Sequence, residues 1–244
     1  MKKVEVLPDK PALLERSLHL TVTKMTHAIA ERGMCTIALA GGSTPKPLYE
    51  AIASQQLPWD KIHVFWGDER YVPPNDPNSN QLMARQAWLD RVNIPKQNIH
   101  PIPTDEVEPF VAARKYEEHL QKFFQIGGGE FPQVDIILLG MGDDGHTASL
   151  FPHTEALQAS GLIAVGNKQN EPRITFTVPL INHARCVMFV VAGADKKSAL
   201  AQVFATDADD FSYPSRLIQP QGELWWLLDR DAGEDLQVST AAES

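Results

Sequence analysis

Four short apolar runs constrain this chain more than any other feature: CTIALA at 35–40, KIHVFW at 61–66, VDIILL at 134–139 and CVMFVVA at 186–192. Each is too uniformly apolar to leave one face in water, which marks strands covered on both sides. RITFTV at 173–178 reads the same way, and GELWWLLD at 222–229 reads as a final strand. Between these runs the period changes. Leu14, Leu18, Val22, Met25 and Ile29 recur at steps of three and four, a helical stripe that Asp9 or Pro11 can open and Gly33 can close. Further helices are expected in GGSTPKPLYEAI after its Gly-Gly turn, in NSNQLMARQAWLDRV, in PFVAARKYEEHLQKFF with Phe110, Ala113, Leu120 and Phe124 facing inward, and in DKKSALAQVFA. Strands alternating with helices predict an α/β fold built on a mainly parallel sheet with helices on both faces. No repeat or low-complexity linker breaks the pattern. One domain is therefore expected over residues 1–231, with 232–244 a loose tail that lacks a hydrophobic period.

Bulk properties narrow the function classes. A hydrophobic content of 43% supports a sizeable core. No apolar run reaches the roughly 18–20 residues that span a bilayer, and the charged start MKKVEVLPDKPALLER lacks the apolar stretch of a signal peptide, so a soluble cytoplasmic protein is expected. Cys35 and Cys186 each sit inside an apolar run and read as buried thiols. The net charge of −9 argues against nucleic acid as a ligand. An anionic substrate would need a local patch of Arg and Lys.

Ligands of such sheets bind beyond the carboxyl ends of the strands. Three loops occupy that position: GGSTP after Ala40, GDERYVPPNDPNSN after Trp66 and GMGDDGHTASLFP after Leu139. Gly41, Gly42, Ser43 and Thr44 offer backbone amides and two hydroxyls at a helix start, which suits a phosphate, although a plain helix cap uses the same residues. Asp68, Glu69 and Arg70 are either site residues or a solvated loop end. Gly140, Gly142 and Gly145 match the dinucleotide pattern G-x-G-x-x-G, but Asp143 and Asp144 would repel a pyrophosphate and Pro152 cuts any helix short. Dinucleotide binding is therefore rejected. His63, His146 and His153 lack a metal-binding spacing, so no metal site is expected. Gly145 allows a tight turn that presents His146 as a proton shuttle.

Five segments, LAGGSTPKPLYEAI, VFWGDERYVPPNDPNSN, ILLGMGDDGHTASLFP, PRITFTVPLINHAR and VAGADKK, stand in the order of the 6-phosphogluconolactonase family, which the chain resembles over nearly its whole length. The resemblance implies a single-domain, Rossmann-like three-layer sandwich shared with glucosamine-6-phosphate deaminases. It also implies hydrolysis of 6-phospho-D-glucono-1,5-lactone without metal or organic cofactor, by a monomer or small homo-oligomer. His146 then corresponds to the general base, with Asp144 shaping or polarising the site and Arg70 lining the lactone end. Gly41, Gly42, Ser43, Thr44, Asp68 and Gly145 fall in the substrate-binding segments. Arg173 and Lys196 match positions around the phosphate, with Lys197 an adjacent alternative. The deaminase branch carries an acid shortly after its histidine, where this chain has GHTASLFP, and a non-catalytic sugar-phosphate sensor is the other rival.

Overall fold

Asp9 and Gly33 bracket the first helix, α1 (Lys10–Arg32): the Asp9 carboxylate accepts from the Ala12 N–H at 2.8 Å, and Gly33 turns left-handed at φ 79°. The computed structural model describes residues 2–236. Before α1 runs β1 (Lys2–Leu7), and after it come β2 (Cys35–Leu39), α2 (Lys46–Ala53), β3 (Ile62–Trp66), β4 (Asp68–Arg70), α3 (Asn80–Ala87) and β5 (Ile99–His100). The second half holds α4 (Pro109–Phe124), β6 (Ile136–Leu139), β7 (Ile163–Lys168), β8 (Glu171–Phe176), α5 (Val178–Asn182), β9 (Cys186–Val191), α6 (Lys197–Phe204), β10 (Glu223–Asp229) and α7 (Arg230–Gly233).

Seven strands form one parallel sheet in the order β1-β10-β9-β6-β2-β3-β5. Strands β2, β6 and β9 are buried throughout, as their sequences require. Chain order runs outward from the centre in both directions, β2 leading to β3 and β6 to β9. The loops after β2 and β6 therefore part at the middle of the sheet, where this architecture binds ligands. Helices α1, α2 and α3 pack side by side on one face, where Thr21 of α1 meets Met188, and α4 and α6 lie on the other, with Phe123 against Phe65 and Phe204 against Trp226. The result is the expected three-layer, single-domain α/β fold.

Several expectations change in detail. The buried face of α1 is Leu13, Ser17, Leu20, Thr21, Met25 and Ala28, so Leu14, Leu18, Val22 and Ile29 lie at its flanks. A helix resting closely on a sheet puts small side chains at the contact, and the Thr21 hydroxyl reaches Met188 Sδ at 3.8 Å. Helix α4 has the expected bounds, but Phe110 at its start is 73% exposed; Tyr116 and Ala112 take the inward places. The helix after Ser79 stops at Ala87, and Trp88 leaves helical geometry to become fully buried. Strand β8, from RITFTV, joins a separate antiparallel sheet in the order β4-β8-β7. Charged DER is one of its strands rather than a solvated loop end. The expected tail boundary falls inside α7, where Ala232 is buried; residues 237–244 of that tail lie outside the described residues.

Candidate active site

The carboxyl ends of β2, β3, β6 and β9 meet around a cleft of about 240 Å³ lined by residues 41–44, Asp68, Arg70, Asn80, Gly142, His146 and Lys196, among others. The three loops singled out in the sequence converge here. So does the segment after β9.

The loop after β6 curls on itself. The Gly142 N–H donates to His146 O at 2.9 Å, the Gly145 N–H to Gly142 O at 3.1 Å, and the Thr147 hydroxyl to Gly140 O at 2.8 Å. Gly145 takes φ 79° with Tyr213 packed behind it, so it shapes the turn from outside the cleft. A methyl group on Gly142 would lie 2.1 Å from His146 Nδ1, which shows how closely the ring rests on that backbone. No helix begins at Gly145; the next helical turn is the 3-10 segment Glu155–Gln158. A pyrophosphate would find no helix N-terminus there, so the glycine pattern is a coincidence of turn geometry.

His146 Nδ1 lies 2.5 Å from Asp144 Oδ1, and the His146 backbone N–H donates to the same oxygen at 3.0 Å. A carboxylate there selects the tautomer with the proton on Nδ1 and leaves Nε2 as the basic nitrogen. Partial burial alone would raise the Asp144 carboxyl, but the ring and backbone hydrogen bonds from His146 hold it down at about 2. Phe151 packs against the imidazole at 4.6 Å between centroids. Ala148, on the cleft wall, is held at φ 48°, a strained conformation of the kind that clusters at functional sites.

Asp68 is the other acid of the cleft. It is 8% exposed and accepts from the Ser149 hydroxyl at 2.7 Å. Burial pushes its carboxyl up, against the Ser149 hydrogen bond and the charges of Arg70, His146 and Arg173. Arg70 Nη1 donates to Asn78 O at 2.6 Å, which holds the guanidinium beside the cleft.

The phosphate-type loop is free of capping duty. Helix α2 has Pro45 at its N-cap and no side-chain cap hydrogen bond, so the plain-cap alternative for Ser43 and Thr44 does not hold. Of the two lysines, Lys196 lines the cleft with its ammonium 2.9 Å from Asp195, while Lys197 pairs with Glu234 and Asp235. Arg173 departs from expectation. Antiparallel pairing sets it directly opposite Arg70, but its guanidinium bonds Glu171 at 2.9 Å and lines a neighbouring polar groove with Arg70, Tyr71 and Asn78. A larger groove of about 670 Å³ adjoins behind Ser43, Thr44 and Lys196, walled mainly by Leu13, Leu14, Pro47 and Leu48. It contains no acid–base pair comparable with His146 and Asp144.

Among the described residues no three His, Cys, Asp or Glu side chains gather as metal ligands. His63 instead joins His100 and His119 in a hydrogen-bonded chain at the edge of the sheet, and His153 is exposed. Asn80 lines the cleft although the sequence reading did not single it out. Only its contact with Gly41, distant in the chain, reveals it.

A profile of the family described as "Glucosamine-6-phosphate isomerases/6-phosphogluconolactonase" matches residues 8–226. The chain belongs to this family. A 6-phosphogluconolactonase of Nostoc sp. is 68% identical over 97% of this chain and 99% of its own length, and one of Synechocystis sp. is 62% identical over 96% and 98%. The crystal structure of the 6-phosphogluconolactonase from Thermotoga maritima superposes with a TM-score of 0.83 at 29% identity, covering 94% of this chain and all of that one. Membership in the family accounts for the parallel sheet and the placement of its loops. No helix among the described residues is long and apolar enough to cross a membrane.

Proposed function

We propose that this chain hydrolyses 6-phospho-D-glucono-1,5-lactone to 6-phospho-D-gluconate, with the His146–Asp144 pair activating the attacking water. The observation that carries the reading is one cleft with His146, backed by Asp144, on one wall and residues 41–44 with Lys196 on another. An acid–base pair and an anion site so placed suit a phosphorylated substrate whose reacting carbon lies away from its phosphate. The relatives described above are named for this reaction, which supports the same conclusion.

The chemistry needs little more. The lactone carbonyl is already electrophilic, so a water deprotonated by His146 Nε2 attacks C1 without a covalent nucleophile. Asp144 stabilises the imidazolium that forms. Arg70, which also lines the cleft, is the charge we assign to offset the oxyanion. When the C1–O5 bond breaks, the imidazolium passes its proton to O5, and the new carboxylic acid releases its own proton to solvent. Ser43, Thr44, the adjoining amides and Lys196 hold the phosphate. Gly145 sets the turn, and Arg173, opposite Arg70 on the neighbouring strand, adds positive charge beside Asp68. Neither metal nor organic cofactor takes part. We take the chain to act in the oxidative pentose phosphate pathway, as a cytoplasmic enzyme.

The discriminating experiment compares two substrates. The purified protein is expected to accelerate opening of freshly generated 6-phosphogluconolactone above its spontaneous rate and to release no ammonia from glucosamine 6-phosphate. Of the two nearby acids available to replace the one missing after His146, Glu69 faces away from the cleft and is consumed by four hydrogen bonds, which leaves Asp68 alone. Ammonia release at a rate comparable with lactone opening would overturn the assignment. Ligand binding without turnover of either compound would favour the sensor.

A further inference from the structure

Strand β4 alternates faces, so Glu69 points away from the cleft that Asp68 and Arg70 line. It is 1% exposed and sits at the head of α3. Its Oε1 accepts from the backbone N–H groups of Arg70 at 2.8 Å and Asn80 at 2.7 Å. Its Oε2 accepts from the Gln81 N–H at 2.7 Å and the Ser79 hydroxyl at 3.1 Å. A carboxylate so bound ties the start of α3 to β4 and complements the positive end of the helix.

Asn80, held there by Glu69, is also 1% exposed. Its Nδ2 donates to Asp68 O at 3.0 Å, and its Oδ1 has no hydrogen-bond partner among the described residues. An amide oxygen buried unpaired detracts from stability, so this side chain is not explained by stability alone. Its contact supplies the reason. A methyl group on Gly41 would lie 1.9 Å from Asn80 Oδ1, 2.3 Å from Cγ and 2.5 Å from Nδ2. Gly41 is not among the residues with positive φ, so it is the Asn80 amide, not the backbone angle, that demands glycine there.

We propose that Glu69 and Asn80 are positioning residues: they form a strut from β4 across the head of α3 to Gly41, which sets the spacing between the Asp68 and Arg70 wall and the phosphate-type loop at 41–44. The functional half of this inference rests on the lactonase reading; its geometric half does not. A substrate anchored by its phosphate reaches the catalytic wall correctly only if that spacing is held. Misplacement by about 1 Å costs on the order of 100-fold in rate.

Removing the strut by Asn80→Ala is expected to lower kcat for the phosphorylated lactone by about 10-fold or more, with KM held within about threefold. Unphosphorylated gluconolactone, which has no phosphate anchor to misplace, is expected to lose clearly less. Glu69→Gln, which turns an amide donor toward backbone N–H groups, is expected to show the same split. Gly41→Ala alone should lose more than Asn80→Ala, whereas Gly41→Ala with Asn80→Ala should recover at least about 10-fold over Gly41→Ala, because the new methyl occupies the vacated space. Should Gly41→Ala fail to fold alone, recovery of folding in the double variant reads the same contact. Amide hydrogen exchange at residues 42–44 is expected to quicken in Asn80→Ala while the β9 and β10 amides stay unchanged. That readout needs no turnover, so a wild-type protein inactive on the lactone would sink the functional reading and leave the strut to be decided by exchange. Full activity in Asn80→Ala, equal losses on both lactones, a double variant no better than Gly41→Ala, or unaltered exchange at 42–44 would each overturn the strut.

Discussion

Asp144 decides which nitrogen of His146 carries the proton, and the proposed reaction depends on that choice. With Nδ1–H bound to the carboxylate at 2.5 Å, only Nε2 is available to take a proton from water. His146→Ala is expected to lower kcat by about 10² to 10⁴, the usual contribution of a general acid–base group. Calorimetry should show 6-phosphogluconate still binding it, since the phosphate loop is untouched; near wild-type turnover would remove His146 from the mechanism. The lysines offer a second contrast. Lys196 lines the cleft and Lys197 is engaged by Glu234 and Asp235. A charge-assisted hydrogen bond contributes about 1.5–3 kcal/mol, so Lys196→Ala should raise KM for the phosphorylated lactone by roughly 10- to 100-fold and leave gluconolactone little changed. Lys197→Ala should alter neither, and steady-state kinetics on both substrates checks the pair.

At the scale of elements, the edge of the sheet carries a chain of three histidines that no expectation foresaw. His63 Nδ1 lies 3.0 Å from His100 Nε2, and His100 Nδ1 lies 2.8 Å from His119 Nε2, which links β3, β5 and α4. Phe65 stacks on the His100 ring at 4.3 Å. Burial, with His119 and His63 as neighbours, pushes His100 from its usual 6.5 down to about 3, and burial also lowers His63 and His119. The unfolded chain therefore binds protons that the folded one refuses. The stability this edge contributes is fully present above about pH 6.5 and is lost as pH falls toward about 3. Thermal unfolding followed from pH 7.5 to 4 should show Tm falling in the wild type and falling less steeply in His100→Phe, which keeps the stacking and removes the titrating ring. Equal slopes would mean that the chain titrates normally in the folded state.

Taken as a whole, the molecule builds its cleft from loops of four strands rather than from one element, so a ligand spanning the cleft should brace all of them. Binding to the folded state alone stabilises by about 2.7 kcal/mol at a hundred times Kd. At this chain length that corresponds to a rise in Tm of roughly 5–10 °C. Saturating 6-phosphogluconate is expected to give such a shift in calorimetry, and unphosphorylated gluconate at the same concentration a much smaller one. Equal shifts would show that the phosphate end contributes nothing.

Much of this protein is written locally. The apolar runs of β2, β6 and β9, the Asp9 and Gly33 ends of α1, and the bounds of α4 follow from period and capping chemistry confined to neighbouring residues. The loops that hold His146, Arg70 and Ser43 were legible for the same reason, since each follows a recognisable strand, and family resemblance named their roles. The tertiary structure alone decided the rest. Ser17 and Thr21 face inward because α1 lies close on the sheet, and the pairing of β8 with β4 sets Arg173 opposite Arg70 in the neighbouring groove. Glu69 is buried because the head of α3, ten or more residues on, supplies three donors to it. Asn80 dictates the glycine at 41 although 38 residues of chain lie between them. Contacts of that kind are set by which strands pair and how closely backbones approach, and no periodicity in one stretch of sequence encodes them.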